Sequence, residues 1–453
     1  MRGIAQGAKL YILAWALAAR AFFVGGGVSV TSEGFRVCSK CHRSQGDSAA
    51  VATRKLMRYS ALMTFIHTSD WHLGKMLREV SLIEDQRHFL DQLLSLIEVR
   101  QPDALVISGD IYDKAVPPTQ AVSLLSGFLF TLTQRFPRLH VFMLSGNHDS
   151  SSRLSFASEI LESANIHIAT NAANCATPVL LGEGEGRAAL YQIPFLLQGS
   201  FSDTDGNPLR RQGELLDAAC SKIRSFHEAA YPDVPVVVAA HVFAGGAQAG
   251  GSESSCVGTA EMVDATLFRG FDYVALGHIH RMQRVGEANV YYSGSPLPYD
   301  FGEANDKAVL FVEVSRGAVS VERVGLDLLR RVVRLEGTVD SFLDEGSPAV
   351  AAHKGDFVEV VCTDGAASEN PMSLLKQVFP NLLSFRIKRA EGALPNKAIE
   401  ARRRVVEQIA GEDFGQAFRA FIAEVYGEAG EAFALEQQCF DQIAQEVRQE
   451  ESV

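Results

Sequence analysis

From Met63 onward, short apolar runs alternate with amphipathic stretches, the pattern of strands and helices stacked in layers, which predicts an α/β fold. The runs Thr64–Thr68, Ala104–Ser108, His140–Leu144, Val234–Ala240, Tyr273–Leu276, Val290–Ser293 and Val309–Val314 predict strands. Between the first two, Phe89, Leu90, Leu93, Leu94 and Ile97 share one face at helical spacing and predict a core helix. The segments Phe243–Gly258, rich in Gly, Ala and Ser, and Leu181–Arg187, with three glycines, read as loops. After about Val333 the character changes. Phe357–Cys362 and Leu383–Lys388 read as strands around a helical stretch near Met372–Phe379, together a small α+β domain. Beyond Pro395 the chain turns helical and polar, and Phe414, Phe418, Phe421, Ile422 and Val425 form one apolar face that packs on its own protein or on a partner. The expected division is therefore 1–62, 63–332, 333–395 and 396–453.

The first part reads differently from the rest. Leu10 to Val30 is mostly apolar, but Arg20 and the run Gly25–Gly27 interrupt it and the cleavage-site pattern is poor, which argues against a membrane anchor or signal peptide. Cys38-Ser-Lys-Cys41-His42 matches the pattern of covalent haem attachment and also half of a zinc site. Haem would need export and a packing domain around it, neither of which follows, so chance is the simpler reading. Met57 and Met63 both stand just before a first strand that needs nothing upstream, and residues 1–62 are expected to be a mis-called start or a disordered extension.

Composition narrows the choice of partners. The 453 residues are 47% hydrophobic and 21% charged, which suits a soluble globular chain of two or three domains. A formal charge of −12 argues against a broadly basic grip on nucleic acid, so local patches, bound metal or a partner would have to supply positive charge to such a substrate. Seven cysteines, odd in number and mostly far apart, do not resemble a disulfide framework and point to a reducing cytoplasm.

The chemistry is concentrated in five clusters: Asp70-Trp-His72, Gly109-Asp110-Ile-Tyr-Asp113, Gly146-Asn147-His148-Asp149, His241 and Gly277-His278-Ile-His280. Each follows a predicted strand, and in α/β sheets ligands collect beyond the carboxyl ends of strands, so clusters spread over two hundred residues can meet at one edge. They mix carboxylates, an amide oxygen and imidazoles, the donors that a pair of divalent cations needs when it clamps a phosphoryl group. If the backbone stays extended, Asp70 and His72, and His278 and His280, point to the same side. Glycines 109, 146 and 277 are expected to allow tight turns and close backbone approach. A single D-x-H or H-x-H pair is more often an ordinary satisfied polar pair; the five together, in this order, are not.

That order resembles the calcineurin-like metallophosphoesterases from about Met63 to Val324. The wording of His67-Thr-Ser-Asp-Trp-His-Leu-Gly74, Ser108-Gly-Asp-Ile-Tyr-Asp113, Leu144-Ser-Gly-Asn-His-Asp-Ser150, Gly277-His-Ile-His-Arg281 and Tyr292-Ser-Gly-Ser-Pro296 is similar to the SbcD nucleases within them. The resemblance implies a layered sandwich as nuclease domain, two divalent ions, usually manganese, one held by Asp70, His72 and His280, the other by Asn147, His241 and His278, with Asp110 bridging. It implies that His148 is the general acid or a donor to the transition state. Asp113 is expected to orient His148 by accepting a ring N–H, and Asp149 to be a structural turn residue. Activated water would attack phosphorus in line and expel the 3′ oxygen without a covalent intermediate. The family further implies a 3′ to 5′ exonuclease on duplex ends and an endonuclease on single strands and hairpins. It also implies a capping domain at 333–395 that shapes the DNA path, and a helical segment at 396–453 that docks on an SbcC-type SMC-like ATPase in a heterotetramer. Arg386, Lys388 and Arg389 form a modest basic cluster, read as solvated surface ahead of DNA contact. Two other readings stay open on these residues: a phosphodiesterase for small substrates, and a metal-binding scaffold without catalysis.

Overall fold

Strands that are apolar on both faces have to be covered on both faces, and that requirement sets the layers. The fold is that of a computed structural model, which describes residues 62–388 apart from 184–185, 249–261, 287, 345–346 and 365–370, together with Gln438 and Phe440. The extension before Leu62 with Cys38, Cys41 and His42, most of the loop Phe243–Gly258, Arg389, and all but those two residues of 396–453 lie outside the described residues.

Two six-stranded sheets lie face to face. The first runs in the order Ala318–Gly325, Ala308–Ser315, Met63–Thr68, Ala104–Ile107, His140–Leu144, Ile166–Ala169, and its last four strands are parallel. The second runs Gln283–Arg284, Val290–Tyr292, Tyr273–Gly277, Val236–His241, Ala188–Ile193, Val179–Leu181, with its four middle strands parallel. Period-two alternation sends neighbouring residues to different layers. Phe65, Val106, Phe142, Val237, Ala239 and Tyr273 meet between the sheets. Ile66, Leu105, Ile107, Val141 and Met143 turn instead to the helices Ile83–Arg100 and Thr119–Arg135. On the far side Tyr191, Val238 and Val274 pack on Leu215, Leu216, Ala219 and Ile223 of the helix Gln212–Ala230. Helix, sheet, sheet and helix thus form four layers. Truncating Leu216, which is fully buried, to Ala is expected to cost about 3 kcal/mol, read as a lower denaturant midpoint at unchanged slope.

A third sheet, Val332–Gly337, Phe357–Cys362 and Leu382–Ile387, is parallel throughout and covered by the helix Pro371–Val378 through Leu375 and Val378. The starts of its first two strands join the main core through Val332 and Phe357. Two ties reinforce that seam: Arg330 to Asp85 at 2.5 Å, and Asn305 with the Val332 N–H and carbonyl at 2.8 Å each. Among the described residues no helix is long and apolar enough to cross a membrane, and Cys175, Cys220 and Cys362 are buried free thiols.

Candidate metal centre

All five clusters leave the carboxyl ends of parallel strands, and hydrogen bonds between the sheets bring those ends together. His67 bridges to Tyr273 Oη at 3.0 Å and to the Leu276 carbonyl at 3.1 Å, and the Ser108 hydroxyl donates to the Ala275 carbonyl at 2.9 Å. Glycine is required where the chains touch: a Cβ on Gly277 would stand 1.8 Å from the Ser108 carbonyl oxygen, and one on Gly109, whose φ is +91°, 2.3 Å from His241 Nδ1. The extended reading of Asp70-x-His72 and His278-x-His280 is corrected here. Asp70, His72 and His278 have φ of 54°, 43° and 106°, as does Asp110 at 48°, so the chain coils around the site. Left-handed non-glycine residues cost on the order of 1–3 kcal/mol each. Backbone hydrogen bonds from the Asp70 N–H to the Gly109 carbonyl (3.1 Å) and from the His72 N–H to the Asp110 carbonyl (2.9 Å) hold them there.

The side chains then fall into two groups that share Asp110. In one, Asp70, His72 and His280 lie close enough to hold a single ion. In the other, Asn147 Oδ1 is 3.0 Å from His241 Nε2 and 3.1 Å from His278 Nδ1. Asp110 Oδ2 is 3.5 Å from both His72 Nε2 and His241 Nε2.

Proton inventory shows that this donor set fits cations. A carboxylate can only accept, so the 3.0 Å contact of His280 Nδ1 with Glu303 Oε1 places a ring proton on Nδ1, and the neutral imidazole then carries its lone pair on Nε2. His72 Nδ1 faces the Asp113 carboxylate at 3.5 Å and has no closer hydrogen bond, which again turns the Nε2 lone pair inward. Those two Nε2 atoms are 3.2 Å apart, an arrangement that a shared cation relieves. His241 behaves alike, since its Nδ1–H donates to the Ser108 carbonyl at 2.9 Å.

Burial favours the neutral, ligating form of the imidazoles. It lowers His72 and His241 below the ordinary histidine range, and lowers His278 to about 3 with help from the neighbouring His241. Burial works the other way on Asp110, but His241, His72 and His148 outweigh it and bring the carboxyl to about 2. Burial thus biases His72, His241 and His278 towards the uncharged, ligating form.

His148 stands apart. Its exposed ring makes an edge contact with His72 at 4.8 Å between centroids, and its Nδ1–H donates to the Asp113 backbone carbonyl at 2.9 Å. The expectation that the Asp113 carboxylate orients His148 is thus corrected: that carboxylate is taken by Lys75 Nζ at 2.7 Å and by His72, and a backbone oxygen does the orienting. Asp149 is more than a turn residue. It accepts N–H groups from Ile111 (3.0 Å), Tyr112 (2.9 Å) and Gly146 (2.9 Å), tying two of the loops together. Asp149→Ala would orphan these donors at roughly 1–3 kcal/mol for each buried one, so a fall in melting temperature by several degrees is expected, with metal-free protein as the sample.

Several supporting residues were given no role by the motifs. The Ser69 hydroxyl donates to Asp70 Oδ2 at 2.6 Å and contacts Ser293 Oγ at 2.8 Å, which explains why Tyr292-Ser-Gly-Ser-Pro296 belongs to the site. Tyr299 Oη donates to the Trp71 carbonyl at 2.5 Å, and its ring lies edge-on to His72 and His280. Glu303 and Lys307 form a buried pair behind His280. Nothing in their local sequence marks these last three, because each reaches the centre through a tertiary contact.

Comparison with known proteins shows the family. A family model described as calcineurin-like phosphoesterase matches residues 63–282. The chain is 30% identical over 330 residues to the D subunit of the SbcCD nuclease of Staphylococcus saprophyticus, covering 71% of this chain and 84% of that one. The protein of the same name from Staphylococcus epidermidis is 31% identical over 330 residues, covering 71% and 85%.

Proposed function

The chain belongs to the SbcD family of nucleases within the calcineurin-like phosphoesterases, and from that premise we propose that it is a metal-dependent DNA nuclease working with an SbcC-type ATPase. It is a hydrolase of phosphodiesters, and its proposed setting is DNA repair, recombination and replication in the cytoplasm. The carrying observation is the pair of donor groups joined by Asp110, with lone pairs of His72 and His280 converging 3.2 Å apart.

Asp70, His72 and His280 would hold one divalent ion and Asn147, His241 and His278 the other, manganese being the proposed metal. When bound, such a pair supplies positive charge to the phosphodiester and activates water. The chain's own groups do the rest. Asp110 fixes the separation of the two donor groups. The Asp113 carbonyl holds His148 by Nδ1, so that Nε2 is the atom presented to substrate. From there His148 gives the Nε2 proton to the 3′ oxygen as the phosphorus–oxygen bond breaks, while water forms the new bond to phosphorus and releases a proton to solvent, from which His148 regains its own. Three N–H groups on Asp149 keep the loop of His148 in register with that of Asp110.

The finer assignments are proposals of the same reading: 3′ to 5′ digestion of duplex ends, endonuclease action on single strands and hairpins, 63–332 as the nuclease domain, 333–395 as a cap on the DNA path, and 396–453 as the segment that docks on the ATPase in a heterotetramer. A net charge of −12 suits a nuclease whose partner carries much of the DNA-binding charge. The test is cleavage of a linear duplex against hydrolysis of bis-p-nitrophenyl phosphate, with manganese, with and without the ATPase. Duplex cleavage that the ATPase stimulates is expected; turnover of the small diester alone, under all conditions, would overturn the proposal.

A further inference from the structure

Behind His280 lies a buried chain of charged groups that no step above uses. Glu303 has a side chain 3% exposed, and its two oxygens meet different partners. Oε1 accepts the Nδ1–H of His280 at 3.0 Å, and Oε2 accepts from Lys307 Nζ at 2.8 Å. Lys307, itself 6% exposed, also donates to Ser295 Oγ at 2.9 Å and reaches the His280 carbonyl at 3.4 Å. Ser295 closes the loop, because its N–H donates to the same carbonyl at 3.1 Å. His280 is therefore gripped at its ring and at its backbone by one network.

We propose that Glu303, clamped by Lys307, is a positioning residue that holds His280 in the Nδ1–H tautomer with Nε2 aimed at the ion shared with Asp70 and His72. The inference rests on the reading of those three residues as one metal position. A buried carboxylate with a buried lysine is expensive to maintain without hydrogen-bond partners, and the contact of Glu303 Oε1 with His280 is one of them only when the imidazole presents Nδ1–H. Ionised Glu303 also increases the basicity of the opposite ring nitrogen, which strengthens it as a donor. His72 lacks such a grip, its Nδ1 being 3.5 Å from the Asp113 carboxylate. His280 is thus the rigid imidazole of this position.

The experiment is a titration of the metal-free full chain with Mn2+, free ion being followed by electron paramagnetic resonance. The set is wild type, Glu303→Gln, Glu303→Asp and His280→Ala. Gln keeps the shape and loses the charge; Asp keeps the charge beside Lys307 and loses the reach. Both are expected to weaken one of two Mn2+ sites by about 10- to 100-fold, leaving the other site as in wild type. Wild-type affinity at both sites, or a parallel loss at both together with a lower melting temperature, would overturn the proposal; if one variant does not fold, the other decides. His280→Ala separates the two claims: if it still binds two Mn2+ with wild-type affinity, the metal position itself is misassigned, whereas loss of one ion there with no effect at Glu303 removes only the role of Glu303.

Discussion

Replacing His148 by Leu is expected to lower manganese-dependent cleavage of DNA by about a thousandfold, within the 10²–10⁴ range of a lost general acid, while two Mn2+ still bind and the melting temperature stays put. The ring is exposed, and its Nδ1–H goes to the Asp113 carbonyl, so little packing is lost on substitution. What disappears is the proton at Nε2 and a donor near the scissile bond. The metal count decides the interpretation, because His148 also stands within reach of a cluster with His72 and Asp110. Loss of an ion from the Leu variant would make His148 a ligand, and unchanged cleavage would remove it from the chemistry altogether.

For Asp110→Asn the expected result is loss of activity on the order of a thousandfold or more, equivalent to about 4 kcal/mol of transition-state stabilisation, with fewer than two ions retained. Asn has the same shape, and its Oδ1 can still accept the His148 N–H that now meets Asp110 Oδ1 at 3.0 Å. The second oxygen, 3.5 Å from both His72 and His241, becomes an amide nitrogen that cannot bind a cation. Inductively coupled plasma analysis of metal content, alongside duplex cleavage, reads both effects. A variant that keeps both ions and full activity would show that Asp110 is not the bridge.

Most central strands were legible because they are apolar on both faces, with observed bounds within a residue or two of the predicted ones, as for Val236–His241 and Ala308–Ser315, but the buried strand Ala188–Ile193, which opens on two alanines, was missed. Short or edge strands, Ile166–Ala169, Val179–Leu181 and Ala318–Gly325, were not legible, since half-exposed runs of mixed residues look like loops. The residues of the centre could be named from sequence because metal donors are few in kind and here follow strands. Their backbone could not. Asp70, His72 and His278 sit in left-handed conformations that are held by hydrogen bonds to loops distant in sequence, and local spacing therefore suggested an extended chain that is not there.

Sequence by itself determined which residues are candidate donors and the class of fold that carries them, because residue chemistry and strand periodicity are local properties, and the wording of the motifs pointed to the family and its reaction. Only the tertiary structure decided how each donor is held. Asp113 lies next to the His148 loop in either view, yet its carboxylate goes to Lys75 and His72 and its carbonyl to His148. Glu303 and Lys307 lie more than twenty residues beyond His280 in sequence and carry no motif, but packing places them against its ring and backbone. The reason is physical: a hydrogen bond chooses its partner by distance and direction in the folded chain, and neither is written in residue type or spacing.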